Sequence, residues 1–355
     1  MVYDNLSSLL LVFSTLAAGP ATPPADLTAL PPPLCKPLIR GVLWWVRPPY
    51  DVERLRAEID AMAAVGMDLL WVFTPNDKLA DPQNPSLKLI FDEADRRRWR
   101  VILCTSAVAG WYVDWDIPKL KRIEEQNIRT LAGLYGHRPS FWGWYLNYEV
   151  YMEWGEKSDR IRELFHYVGR LTRELTPKAR LTISPFFLAD RDGLRGLFRH
   201  ADPEAYALWW AETIGHAGIH VVMLQDSSEL HCRCVPTETR VAFFEAMQAA
   251  CKANHEVELW GNVEMVEYPA ADMAEYARML ETSRKTHSPM PWAFDMGRNA
   301  FKLDLASRFC TSLVSWGWEY WNPVAPQDRV GRSADNYAAY KAYVERIWQS
   351  PDRQR

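Results

Sequence analysis

An eight-stranded α/β barrel, (β/α)8, in a single domain, is the fold this sequence predicts, on three observations. Short apolar runs alternate with longer amphipathic stretches from about residue 38 onward, with no block of strands alone. That is the pattern of a parallel sheet covered by helices. The alternation repeats eight times, and eight units close into a barrel where five or six would leave an open, doubly wound sheet. The 355 residues suit one such barrel of about 250 residues with extensions.

Taken in order, the first strand is read over 38–45. Asp51 caps a helix whose Val52, Leu55, Ile59 and Met62 recur at helical spacing, ended by Gly66. Strand two spans 69–73, helix two 87–99 and strand three 101–105. Helix three covers 117–135 through Ile117, Leu120, Ile123, Ile128, Leu131 and Leu134. Strand four is the aromatic run 141–150, FWGWYLNYEV, apolar enough to be buried on both faces. Helix four carries Ile161, Leu164, Phe165, Val168, Leu171 and Leu175 and stops at Pro177. Strand five is 181–184 and helix five 203–213. Strand six is 219–224, helix six 238–252, strand seven 257–262 and helix seven 271–285. Strand eight is placed at 312–318, and a last helix carries Tyr337, Tyr340, Val344 and Ile347. The stretch 286–311 is read as a long connection, as are 105–117 and 185–203.

Residues 1–21 read as a secretory signal: an apolar segment over 6–18 leads into Ala17-Ala18-Gly19-Pro20-Ala21, although its start lacks Lys and Arg. The expectation is a secreted or periplasmic protein beginning near Thr22. The apolar run is too short for a membrane span, which needs about 20 residues. A Pro-rich lead-in occupies 22–37, and the barrel 38–350. A net charge of -4 gives no reason to expect nucleic acid as a partner. Six Cys show no disulfide-framework spacing, and Cys104 and Cys310 sit in apolar runs. Cys232 and Cys234, beside His231, fit no standard zinc spacing. There is no Gly-rich phosphate loop, HExxH or GxSxG, so neither metal nor cofactor is expected. Asp190-Arg191-Asp192-Gly193 is a piece of a calcium-loop pattern without its Glu and reads as a polar turn.

The C-terminal strand tips are where such barrels do chemistry, and here acidic and amide residues gather. Strand four ends in Asn147-Tyr148-Glu149, strand six in Gln225-Asp226, strand seven in Asn262-Val263-Glu264 and strand eight in Trp318-Glu319. An unpaired carboxylate buried there would cost several kcal/mol, so Glu149 calls for a partner. Two carboxylates facing each other across the mouth suit glycoside hydrolysis, one protonated as the acid and one ionised as the nucleophile. Glu149 and Glu264 are the candidate pair, at the retaining separation of ~5–5.5 Å. The alternative is that each is a structural residue paired with Arg40 or Arg298. Asp226 is open between catalytic support, sugar contact and loop capping. With 17 Trp in the chain, Trp44, Trp45, Trp260 and Trp318 are read as stacking surfaces for sugar rings, with core packing the competing reading. Asn147, Tyr148, Gln225, Asn262 and Glu319 complete the expected substrate contacts.

The segments GWYLNYE, VVMLQDS, LWGNVEMVEY and SWGWEYWNP, on strands four, six, seven and eight, resemble the glycoside-hydrolase-like barrel family catalogued as domain of unknown function 4434. The resemblance runs over about residues 38–325. It implies a (β/α)8 barrel and glycoside hydrolysis, by similarity to the large clan of retaining glycosidases with an acid/base on strand four and a nucleophile on strand seven. Glu149 matches the first and Glu264 the second. That clan places Asn immediately before the strand-four Glu. Here Tyr148 intervenes and Asn147 stands two before, which puts the usual role of that Asn in doubt.

A retaining glycosidase acting on an unidentified oligo- or polysaccharide is therefore the leading expectation. A carbohydrate-binding protein on a glycosidase-like barrel, its carboxylates no longer turning over, is the second. A metal-dependent hydrolase is a distant third, because His220 alone of eight His lies on an expected strand.

Overall fold

Each apolar run becomes a strand, and the strands hydrogen-bond in chain order until the last meets the first: β1 (Ile39–Trp45), β2 (Leu69–Phe73), β3 (Arg100–Cys104), β4 (Phe141–Leu146), β5 (Arg180–Ile183), β6 (Val221–Gln225), β7 (Glu258–Asn262) and β8 (Ser312–Ser315) form one closed barrel. All eight pairings, including β1 with β8, are parallel. The computed structural model describes residues 27–47, 51–73, 85–106, 108, 115–194, 199–324 and 332–349. The expected signal segment and the start near Thr22 lie outside them. The outer layer comprises α1 (Val52–Ala64), α2 (Pro85–Arg97), α3 (Ile117–Tyr135), α4 (Gly155–Leu175), α5 (Pro203–Ala217), α6 (Thr237–Lys252), α7 (Met273–Thr286), α8 (Met296–Ser307) and α9 (Ser333–Gln349). No helix among the described residues is long and apolar enough to cross a membrane.

Local chemistry sets the helix starts. The carboxylates of Asp51, Asp116, Asp202, Asp272 and Asp295 each accept a backbone N–H of the first turn, satisfying donors that the helix itself cannot. Gly218 ends α5 at φ +69, a left-handed conformation that glycine adopts without a side-chain clash. Trp71 on β2 and Tyr145 on β4 meet edge to face at 4.8 Å. Strands two apart touch through the barrel interior, so Tyr145 points inward. By the two-residue alternation of a strand, so do the positions leading to Asn147 and Glu149.

Three departures matter for the site. β4 stops at Leu146, so Asn147 to Val150 lie beyond the ladder. β8 stops at Ser315, and Gly317, at φ +71, turns the chain into a 3-10 turn over Trp318–Tyr320. The connection after α7 contains a further helix, α8, which buries Asn299 and Lys302 beside Leu303, Leu305 and Ala306. Its inward face is part polar, so apolar periodicity did not reveal it. The lead-in is tied to this helix: the Leu34 N–H donates to the Ser307 carbonyl at 2.7 Å, and Arg308 donates to the Pro31 carbonyl at 3.0 Å. Cys104 and Cys310 are buried thiols. Asp190 accepts the Leu194 N–H at 2.8 Å, making the polar turn expected there. Cys232 and Cys234, whose spacing suggests neither a disulfide framework nor a zinc site, are joined to each other by a disulfide.

Candidate active site

Glu264 follows β7 by two residues and is closed off from solvent. Its backbone is gripped from both sides: the N–H donates to Asp226 Oδ1 at 2.8 Å, and the carbonyl accepts from Lys302 Nζ. Its Oε2 lies 2.8 Å from His231 Nδ1. Its Oε1 has no hydrogen-bond partner among the described residues. A buried carboxylate oxygen left so is costly unless a ligand or water completes it.

Glu149, three residues beyond β4, is exposed and lies near enough to Glu264 and His231 to feel both charges. Crowding by protein atoms pushes its carboxyl up from the ordinary range. The negative charge of Glu264 acts in the same direction, while His231 and a hydrogen bond from Gln225 pull it down. Water at the open side screens part of the crowding penalty. Gln225 is itself oriented by donation to the Ser184 carbonyl at 3.2 Å. Asn262 Nδ2 donates to Ser184 Oγ at 3.0 Å, and its buried Oδ1 has no partner among the described residues. Asn147 is half-buried, with Nδ2 on the Ser106 carbonyl at 3.1 Å.

Beneath Glu264 lies a buried ionic cluster. Arg240 of α6 and Lys302 of α8 are both inaccessible to solvent. Arg240 reaches Asp226 Oδ2 at 3.2 Å and Glu267 Oε1 at 2.8 Å. Lys302 reaches the same two carboxylates at 3.6 and 3.3 Å and donates to Ser227 Oγ at 3.1 Å. Arg298 adds a pair with Glu267 Oε2 at 3.3 Å. Burial alone would raise the Glu267 carboxyl, but Lys302, Arg240 and Arg298 together outweigh it and hold the group well below the usual carboxylate range. Each ion would cost several kcal/mol to bury alone. Paired, they lock the tips of β6 and β7 to two helices and so aim Glu264. Asp226 thus supports Glu264 from behind and is shut away from the mouth. Arg298 serves Glu267, and Arg40 pairs with Asp68 at 2.6 Å; neither arginine is the partner of Glu149 or Glu264.

Most of the predicted aromatic surfaces belong elsewhere. Trp44 and Trp318 are buried, and both donate their indole N–H to the buried Glu58 of α1, at 2.7 and 3.2 Å. They bind the barrel to its helices. Trp260 is buried deep in the barrel, stacked on Trp142 at 5.4 Å with its N–H on Glu258 at 2.9 Å. Tyr148 and Trp144 face the helical layer, hydrogen-bonded to Glu124 and Thr176 at 2.7 and 2.8 Å. The alternation that turns Asn147 and Glu149 inward turns Tyr148 away. Trp45 remains half-buried at the tip of β1, its ring 4.1 Å from that of Phe73. Glu319 is half-buried in the 3-10 turn.

The aromatic wall beside Glu264 comes from other residues. Trp292 and Trp316, both half-buried, each lie 5.9 Å from the His231 ring. Tyr268 stacks on Trp292 at 4.2 Å, and Tyr320 lies 5.7 Å from Trp316. His231, Trp292 and the buried Arg240 and Lys302 escaped sequence reasoning. His231 stands in a connection after β6 and Trp292 in the one before α8, where no periodicity marks direction. Their partners come from other segments of the chain: His231 meets Glu264, 33 residues on, and Trp292 stacks on Tyr268. No group of three or more His, Cys, Asp or Glu able to hold a metal ion occurs among the described residues.

Residues 72–295 match the family described as Domain of unknown function (DUF4434). A search of the curated proteins finds no match. Among solved structures, one from Bacteroides thetaiotaomicron, named provisionally as an alpha-L-fucosidase, superposes with a TM-score of 0.67 at 15% identity, over 97% of this chain and 99% of that one. The hyperthermostable endo-1,4-beta-D-mannanase of Thermotoga petrophila gives 0.55 at 10% identity, over 87% and 99%. The GH99 endo-alpha-mannosidase of Bacteroides thetaiotaomicron gives 0.51 at 13%, over 83% and 79%. The barrel is thus of the kind that glycosidases use; likeness at these identities concerns the fold.

Proposed function

The chain belongs to the family described as Domain of unknown function (DUF4434), and from that premise we propose that it is a glycoside hydrolase of retaining mechanism acting on an oligo- or polysaccharide. One observation carries the reading: Glu149 and Glu264 stand at the tips of β4 and β7 close enough for the charge of one to raise the pKa of the other, with His231 acting on both. In this reading Glu149 is the acid. Its raised pKa keeps a proton for the leaving oxygen at a pH where an ordinary carboxyl has lost it. Glu264 is the nucleophile. The hydrogen bond to His231 and the grip on its backbone hold Oε2 in place, which leaves Oε1 free for the anomeric carbon. Departure of the protonated leaving group forms a glycosyl ester on Glu264. Glu149, now a base, takes a proton from the water that cleaves it.

A 2-deoxy-2-fluoro glycoside with an activated leaving group is the direct test. Incubation is expected to add one glycosyl mass, mapped by peptide sequencing to Glu264. Labelling at Glu319 would keep the reaction and move its nucleophile. A broad panel of such reagents that leaves the protein unlabelled, with no glycoside hydrolysed, would reject the proposal.

The polar atoms left open fit a polyhydroxylated ligand. Glu264 Oε1 and Asn262 Oδ1 can accept, and the buried Trp316 Nε1–H can donate. Beside them the rings of Trp292 and Trp316 offer an apolar face. Trp292→Ala is expected to weaken sugar binding by about 10-fold or more, on the order of 1.4 kcal/mol. Trp318→Phe, which loses the hydrogen bond to Glu58 and part of the packing on Trp321, is expected to leave binding unchanged. Calorimetric titration compares them, and equal affinities for Trp292→Ala and the unaltered protein would remove the platform.

A further inference from the structure

The opposite end of the barrel carries a second concentration of charge. Arg40, Arg100 and Arg180, at the starts of β1, β3 and β5, converge there with Asp68 and Glu258. Arg40 holds Asp68 through Nε and Nη2 at 2.6 and 2.8 Å. Arg180 holds Glu258 through Nη1. The guanidinium groups of Arg100 and Arg180 lie over the Trp142 ring at 5.4 and 5.3 Å, and that ring is fixed by stacking on Trp260. Among the described residues the Arg100 side chain has neither a hydrogen bond nor an ion pair. Three cations thus face two carboxylates, and the unpaired one stands between the other two.

We propose that this floor binds a small oxyanion, such as inorganic phosphate, with Arg100 as its principal ligand and Arg40 and Arg180 as flanking donors. A guanidinium offers five N–H donors in a planar fork matched to oxyanions. Arg40 and Arg180 each commit only part of theirs to a carboxylate and keep N–H groups for a second acceptor. Burial, and then the like charges of Arg40 and Arg180, disfavour the Arg100 cation against the pull of Asp68 and Glu258; a bound anion adds an attraction that offsets the repulsion. The aromatic plane under Arg100 restricts its side chain before binding, which lowers the ordering cost. The site lies at the strand starts, remote from Glu149 and Glu264, and is independent of the glycosidase reading.

The test is titration of the full chain with inorganic phosphate at constant ionic strength, by calorimetry and by thermal unfolding, with chloride as the reference anion. Saturable phosphate binding that raises the unfolding temperature is expected. Arg100→Gln should weaken it at least 10-fold, while Arg160→Gln, on the surface of α4, should not. Arg180→Lys provides a second variant should Arg100→Gln not fold: it keeps the charge but loses the planar fork, and a several-fold weakening is expected. A response to phosphate no larger than that to chloride, or affinity unchanged in Arg100→Gln or Arg180→Lys, would overturn the assignment.

Discussion

Glu149→Gln is expected to lower kcat by about 10²–10⁴-fold on glycosides with poor leaving groups, the range for loss of a positioned acid. The amide has nearly the shape of the carboxylic acid but no proton to give. Sugar binding should persist, since the aromatic wall and Glu264 are untouched, so calorimetry on the inactive variant also tells an enzyme from a protein that only binds. The pH profile is a separate reporter. Glu149 works protonated, so activity falls as pH rises through its pKa. Because crowding and Glu264 raise that pKa, the alkaline limb of kcat/KM should lie above the ordinary carboxyl range, and Glu149→Gln should abolish it. In Glu149→Ala, azide should restore turnover of a substrate with a good leaving group, which needs no acid. Wild-type rates in Glu149→Gln would end the assignment.

Arg240→Met is expected to destabilise the fold by about 3–5 kcal/mol, the usual consequence of removing one partner from a buried ion pair. Arg240 is fully buried and joins Asp226, Glu267 and the Cys232 carbonyl. Methionine fills part of the space but leaves both carboxylates short of a cation. Denaturant unfolding of the two proteins measures the difference. Arg160→Met, removing an exposed pair with Glu156, should cost less than about 1 kcal/mol. The acid limb adds a sign. Glu267 titrates lower in the folded chain than in the unfolded one, so the unfolded state binds the extra proton. Its stabilisation is complete above the ordinary carboxylate range and is lost as pH falls toward the folded value. Arg240→Met removes part of that depression, so the gap between the two proteins should narrow in acid. A loss under about 1 kcal/mol at neutral pH would mean that Lys302 and Arg298 suffice alone.

Those two substitutions sit on either side of what a sequence can express. The eight-fold alternation, the strand cores and the Asp51 cap are local: periodicity and a capping side chain act within a few residues, and the barrel was legible from them. So was the gathering of Glu149 and Glu264 at strand tips, since a strand's end and its neighbour in a closed barrel follow from element order alone. Direction was not local. Trp44 and Trp318 look like Trp316 in sequence, yet two turn outward to share Glu58 and one turns toward His231. Alternation assigns a face only while the chain stays extended, and β8 ends at Ser315, before Trp316 and Trp318 are reached. The inward helix α8 hid because its buried face carries Asn299 and Lys302, polar groups whose burial is tolerable only with partners from distant segments. Tertiary structure decided these points because they depend on which charge or donor lies opposite, and that is settled only when the barrel closes.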